Sequence, residues 1–181
     1  MGTSVIADLS FSLRLARPGE LSELVRIDEA AGTLYAQVGI VFDFAWDHPF
    51  AKAEVAQWDR AIHRGLAHVA VDSNDYPLGF ITLEFVDGNP YIYQLSVHPT
   101  AMRRGIGSAL VRQAIQWSAG RPLWLTTYSH VPWNARFYEK RFDFSIVPEQ
   151  ECGEEMKAML ERERAILPQP GNRVAMVLRT S

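Results

Sequence analysis

The chain is short of cysteine, of long apolar runs and of positive charge, and each shortage closes off a class of function. Its single cysteine, Cys152, excludes an internal disulfide and fits a reducing, cytoplasmic setting. The surrounding text, "EQECGEEMK", crowds that thiol with carboxylates, which disfavour a thiolate, so Cys152 reads as inert. Lysine and arginine number 18 against 21 aspartates and glutamates, a net charge of -3. Nucleic acids and anionic membranes usually ask for a basic face, so neither is expected as the main partner. No apolar run approaches the length that spans a membrane. The opening residues, "MGTSVIADLSFSLRL", are not expected to act as a secretory signal, and Ile6 stands where an N-myristoylation site wants Ser or Thr. His48, His63, His68, His98 and His130 lack ligand spacing, so no metal is expected, and no Ser/His/Asp arrangement is legible. Internal repeats, linkers and low-complexity tracts are missing as well.

What is present is an ordinary globular composition, 48% hydrophobic and 22% charged over 181 residues. That is enough for one domain, residues 1–181, with a real core. Residues 11–18, "FSLRLARP", alternate as a half-buried strand does. Residues 18–32 read as a helix with Leu21, Leu24, Val25 and Asp28 on one side and Gly32 as its stop. An aromatic loop follows, "TLYAQVGIVFDFAWDHP", and then a second helix, "FAKAEVAQWDRAIHRG". "LAHVAVD", "PLGFITLEFVDG" and "PYIYQLSVHP" are strand-like, and the turn residues between them predict an antiparallel meander. A helix over 104–118, a short strand "PLWLTTY", a helix from near Asn134, a charged helix "EQECGEEMKAMLERERAIL" and a last strand "RVAMVLR" complete the chain. This order points to a mixed α/β sheet with helices on its faces.

The stretch "MRRGIGSAL", residues 102–110, puts two glycines at the start of a helix, where each costs roughly 1 kcal/mol against alanine. A dinucleotide fingerprint would need a third glycine where Leu110 stands, and a Walker loop would need a G-K-[ST] triplet that does not occur. A strand running into a loop of free amides remains, with Ile106, Leu110, Ala114 and Trp117 as the buried stripe of the helix. Such a loop either holds an anion such as a pyrophosphate against bare backbone, with two arginines beside it, or merely turns the chain.

"LSVHPTAMRRGIGSALV" resembles the acyl-CoA signature of the GNAT N-acetyltransferase superfamily, [QR]-x-x-G-x-[GA] after a strand. "TTYSHVPWNARFYEKRF" is similar to that superfamily's next block, and its VPWNxxFY string to one branch of it. The likeness covers about residues 77–144. It implies a GNAT fold: a mixed, mostly antiparallel central sheet of about seven strands, flanked by helices and splayed between "YIYQLSV" and "LWLTTY". It implies acetyl-CoA as cosubstrate, with the backbone of Leu95, Ser96 and Val97 pairing with the pantetheine arm. The amides of Arg103, Arg104, Gly105, Ile106, Gly107 and Ser108 would hold the pyrophosphate. Asn134 would bond the pantetheine, and Tyr138 would stand by the sulfur as proton donor to the thiolate. The Val97 amide would take the charge of the oxyanion. Dimers are common in the superfamily, so a homodimer is expected by analogy.

The sequence departs from the pattern at three places. Met102 fills the signature's first position, and Asp143 in "KRFDF" stands where relatives carry glycine. Tyr93, followed by Gln94, occupies the strand position where many relatives carry a glutamate as general base. Glu84 and His130 are the substitute bases, unless the acceptor is an amine of low pKa that needs little help. Tyr91 and Tyr93 share a face and either line an acceptor pocket or cover the sheet, while Trp46, Asp47 and His48 lie in the loop that shapes acceptor sites in such enzymes. The expected function is acetyl transfer from acetyl-CoA to the amine of a small molecule, by direct attack in a ternary complex. A peptide amine as acceptor is one alternative, and a non-catalytic acyl-CoA-binding module is the other.

Overall fold

Turn chemistry sets the meander. The two residues between β3 (Pro77–Val86) and β4 (Asn89–Val97), Asp87 and Gly88, both take positive φ, 50° and 72°, the backbone of the tight hairpin turn whose twist matches the strands. Between β2 (Ala67–Val71) and β3 the carboxylate of Asp72 accepts the amide N–H of Asn74 and of Tyr76. With β1 (Ser12–Leu15), β5 (Leu123–Tyr128), β6 (Ser145–Val147) and β7 (Arg173–Leu178), these strands form one sheet in the order β1-β2-β3-β4-β5-β7-β6. All neighbours are antiparallel except β4 and β5. The computed structural model describes residues 10–45 and 47–179.

Strand alternation decides what each face buries. Phe80 on β3 points to one face, against Leu24 and Ile27 of α1 (Leu21–Gly32) and Trp58 of α2 (Pro49–His63). Tyr91, Ala175 and Val177 bury Met156 and Leu160 of α5 (Glu154–Ile166) on that same face. Ile81, Leu83 and Ile92 point the other way and receive Ile106, Leu110, Val111 and Ala114 of α3 (Ile106–Ser118), with Ala135 and Tyr138 of α4 (Ala135–Phe142) beside them. Leu110 is fully enclosed there, and its truncation to alanine is expected to cost about 2–5 kcal/mol. No helix among the described residues is long and apolar enough to cross a membrane.

The structure departs from the sequence expectations at several ends. Helix α1 ends at Gly32 as expected but without a left-handed turn there: Gly32 keeps φ -58°, the chain runs on as a 3-10 helix over Thr33–Val38, and Gly39 at φ 74° makes the turn. Helix α3 begins at Ile106 rather than at residue 104, because Arg103 and Gly105 take positive φ, 62° and 85°, which a right-handed helix cannot hold. Trp117 lies half-buried at the rim, its ring 5.1 Å from that of Phe85, and Val111 and Ser118 complete the buried stripe instead. The charged helix starts at Glu154, capped from outside by Asp87, whose carboxylate accepts the N–H of Glu155 and Met156 at 2.9 and 3.0 Å. Strand β6 is an addition: three residues on the sheet edge, two of them exposed. Asp143 takes the left-handed conformation at φ 62° that ends α4.

Candidate active site

Strands β4 and β5 pair only at Tyr91 with Trp124 and Ile92 with Leu125. Beyond Ile92 they part, while β5 stays paired along its whole length with β7 on its other edge. The N–H of His98 donates to Leu78 O on the β3 side at 2.8 Å, so alternation turns the N–H groups of Val97 and Leu95 into the opening. A bulge sits at the start of that opening: Thr82 faces Gln94 while Leu83 faces Ile92, which leaves Tyr93 as an extra residue. The bulge breaks the alternation, so Tyr91, Tyr93, Gln94 and Ser96 all turn to the face of α1 and α2, and Leu95 and Val97 to that of α3.

The start of α3 closes the far end of the opening. Positive φ at Arg103 and Gly105 bends the chain into a run of outward amides at the positive end of the helix, a concavity suited to an anion. Gly79 lets α3 sit this close to the sheet, since a Cβ there would meet Ile106 at 3.0 Å and the Ser96 carbonyl at 3.1 Å. Gly107 is different. A Cβ on it would find only ordinary contact, 3.7 Å to Phe137, so packing does not demand the glycine; its bare backbone faces the cleft. The arginines that line the cleft are Arg103, Arg141 and Arg173. Arg104 turns away from the cleft and donates to Ser10 O at 3.2 Å.

The opening widens into a cleft of about 1190 Å³ that passes through the splay from the α3 face to the α1 face. Leu95, Ser96, Val97, Arg103, Gly105, Ile106, Gly107, Ser108, Asn134 and Tyr138 line it, together with Tyr91 and Tyr93. Asn134 and Tyr138 come to it on successive turns of the start of α4. The side chain of Asn134 exchanges hydrogen bonds with the hydroxyl of Tyr35, at 3.1 and 3.2 Å, which fixes the amide's position. Burial raises the pKa of the Tyr138 phenol well above its ordinary value, with the Tyr35 phenol adding to the rise, so it holds its proton throughout the working pH range.

On the α1 face the cleft is acidic. Asp28 Oδ1 accepts from Ser96 Oγ at 2.6 Å and from Gln94 Nε2 at 2.7 Å. The carboxylate is accessible from the cleft but otherwise surrounded by protein, and this burial raises its pKa against the lowering effect of the two bonds. Tyr93 donates to Glu54 Oε1 at 2.8 Å, and Arg162 lies 3.2 Å from both. Burial likewise raises Glu54. Below them Thr126 Oγ1 donates to Glu163 Oε1, so its lone pairs receive Tyr91 and Arg173, and Arg173 closes the group on Glu163 at 2.8 Å. Tyr35, Phe42, Phe44, Phe50 and Trp133 wall this half.

The two expected bases lie elsewhere. Glu84 accepts from Gln57, Arg64 and the Phe85 amide and lines a separate shallow hollow beside α2. Burial alone would raise its pKa, but the three hydrogen bonds outweigh it and hold the carboxyl low, which suits an ion pair and not a base. His130 is exposed beyond Tyr128, outside the cleft lining. Their placement follows from Cβ direction and loop path, which residue type does not reveal. Trp46 lies outside the described residues. Asp47 is off the cleft, and His48 caps α2 by accepting the Phe50 amide at Nδ1. Cys152 is buried against α5, away from the cleft. No group of three or more His, Cys, Asp or Glu among the described residues could hold a metal ion.

Residues 33–144 match the model of the acetyltransferase (GNAT) family. The chain belongs to this family of acetyltransferases. Its fold is shared by an acetyltransferase of the GNAT family from Staphylococcus aureus Mu50, at TM-score 0.68 and 13% identity over 94% of this chain and 99% of that one. PaiA N-acetyltransferase from Thermoplasma acidophilum, solved in complex with coenzyme A, aligns at TM-score 0.61 and 13% identity, over 95% and 99% of the two chains. N-acetylglutamate synthase from Neisseria gonorrhoeae, complexed with coenzyme A and N-acetyl-glutamate, aligns at 0.62 and 18% over 95% of this chain, which spans only 35% of the synthase.

Proposed function

We propose that the chain is an acetyl-CoA-dependent N-acetyltransferase that modifies a primary amine of a small molecule by direct attack in a ternary complex. One observation carries the reading: the unpaired edge of β4 runs into the amide-rich start of α3, inside the cleft that Asn134 and Tyr138 also line. An extended pantetheine arm adds to an open strand edge as another strand would, through the backbone of Leu95, Ser96 and Val97. A pyrophosphate suits the amides from Arg103 to Ser108, and the room at Gly107 fits its close approach. Acetyl-CoA supplies the activated acyl group. The Val97 N–H takes the charge that builds on the thioester oxygen, and Tyr138 hands a proton to the departing thiolate. Asn134, steadied by Tyr35, bonds the pantetheine.

The aromatic wall supports an enclosed acceptor rather than a peptide chain, and a cleft of this size has room for two substrates at once. The test is thiol release from acetyl-CoA with aromatic amines, polyamines, amino acids, amino sugars and short peptides. One class of small amine should drive release and appear acetylated by mass spectrometry. Tight acetyl-CoA binding with no release by any amine would instead mark a binding module, a reading favoured by Tyr93 at the usual glutamate position.

A further inference from the structure

We infer that Asp28, on helix α1, accepts the proton of the acceptor amine, doing from a helix what β4 no longer offers from its own sequence. This rests on the acetyl-transfer reading above. Ser96 and Gln94 flank Leu95, whose N–H faces the opening, and both donate to Asp28. The two bonds end on Oδ1 and neither uses Oδ2, so the carboxylate is fixed against the strand with one oxygen left for a nitrogen or a water. These bonds exist because the bulge at Tyr93 rotates Gln94 and Ser96 onto the α1 face.

The surroundings suit a base. The charged or titratable groups near Asp28 are Glu29 on α1, Tyr35 on the 3-10 helix that follows and Glu54 on α2. Gln94 and Ser96 on β4 are neutral. No cation among the described residues forms an ion pair with Asp28. Two other carboxylates of the cleft lie by β4 and both are engaged: Glu54 is held by Arg162 and covered by the Tyr93 hydroxyl, and Glu163 is paired with Arg173. Burial raises Asp28, which brings its basicity closer to that of an amine.

The proton balance is complete. An alkylammonium loses one proton to the Asp28 carboxylate, which returns it to water. The free amine forms the C–N bond to the thioester carbonyl, and the C–S bond breaks with its electron pair on sulfur. The second nitrogen proton replaces the one that Tyr138 gives to the thiolate, so the products are the amide, the thiol and one released proton.

The experiment compares Asp28→Asn, Glu54→Gln and Ser96→Ala with wild type, using the amine that wild type acetylates best. For Asp28→Asn, kcat/KM should fall about 100-fold or more, with the Kd for acetyl-CoA unchanged. Ser96→Ala removes a bond that lowers the Asp28 pKa, so the acid limb of its kcat/KM profile should move to higher pH. A purely structural role would leave that limb in place. Wild-type rates retained by Asp28→Asn, or an acid limb lost in Glu54→Gln and kept in Ser96→Ala, would overturn the assignment while leaving acetyl transfer standing. Absence of thiol release from wild type itself would overturn both.

Discussion

Ser96 Oγ donates to Asp28 Oδ1 over 2.6 Å, tying the strand edge that faces the cleft to the helix that floors it. Burial of that carboxylate also sets how stability changes with pH. Burial lifts the Asp28 carboxyl above its unfolded value of 3.8, against the two hydrogen bonds. The native state therefore binds more protons than the unfolded chain between the two pKa values, and stability falls as pH rises through that window. Asp28→Asn removes this penalty. Urea unfolding should show the variant more stable than wild type at about pH 8, with the gain gone below about pH 4, where both side chains are neutral. A variant less stable at both pH values would show that the carboxylate holds the fold together.

Gly107→Glu separates ligand from fold. A Cβ at Gly107 meets nothing closer than 3.7 Å, so melting should stay close to wild type. The added charge repels a pyrophosphate where the amides should hold it, and affinity for acetyl-CoA should fall by about 10-fold or more, an order set by placing like charges a few ångströms apart. Calorimetric titration checks this. Unchanged affinity would remove the phosphate from the start of α3.

Tyr138→Phe tests the proton donor. The ring stays buried among the residues under α3 and α4, so the fold should survive the loss of one hydroxyl. Loss of a positioned acid commonly costs about 10²–10⁴ in rate, and the fall should appear in kcat with little change in the KM for acetyl-CoA. A matched loss in both would point to binding instead.

Glu84→Gln is the control on the ion pair. The folded carboxyl of Glu84 is held below its unfolded value by the Phe85 amide, Gln57 and Arg64, which together outweigh burial. Its stability contribution is therefore present at neutral pH and lost as pH falls through the folded pKa. The variant should lose about 1 kcal/mol or less at neutral pH, because Arg64 is half exposed, and progressively less as pH falls through the folded pKa. Acetyl transfer should be unaffected, since the side chain lies outside the cleft. A large loss of activity would return Glu84 to the site.

Much of this was legible in the residues, and what was not has physical reasons. The Asp87-Gly88 turn and the alternating runs around it announce the meander, and the Gly105 and Gly107 pair announces an amide-rich helix start. Strand β6 leaves no sequence signal, because three residues are too few to show a period and because pairing with β7, distant in sequence, is what makes them a strand. Asp28 did leave a signal: a carboxylate in the inward stripe of α1 beside Leu24 should be either paired or functional. Its partners were hidden by the bulge at Tyr93, because one inserted residue reverses every side chain after it, and strict alternation misassigns Gln94 and Ser96. Glu54 and the Tyr35 bond to Asn134 depend on contacts 39 and 99 residues apart along the chain, beyond any local pattern.

The most direct test of direct acetyl transfer within this cleft is a grid of initial rates of thiol release, with acetyl-CoA and the best amine of the panel varied against each other. Release should require the amine, and reciprocal plots should intersect, as a ternary complex demands. Parallel lines, the mark of an acyl-enzyme, would contradict it, as would bound acetyl-CoA that no amine discharges.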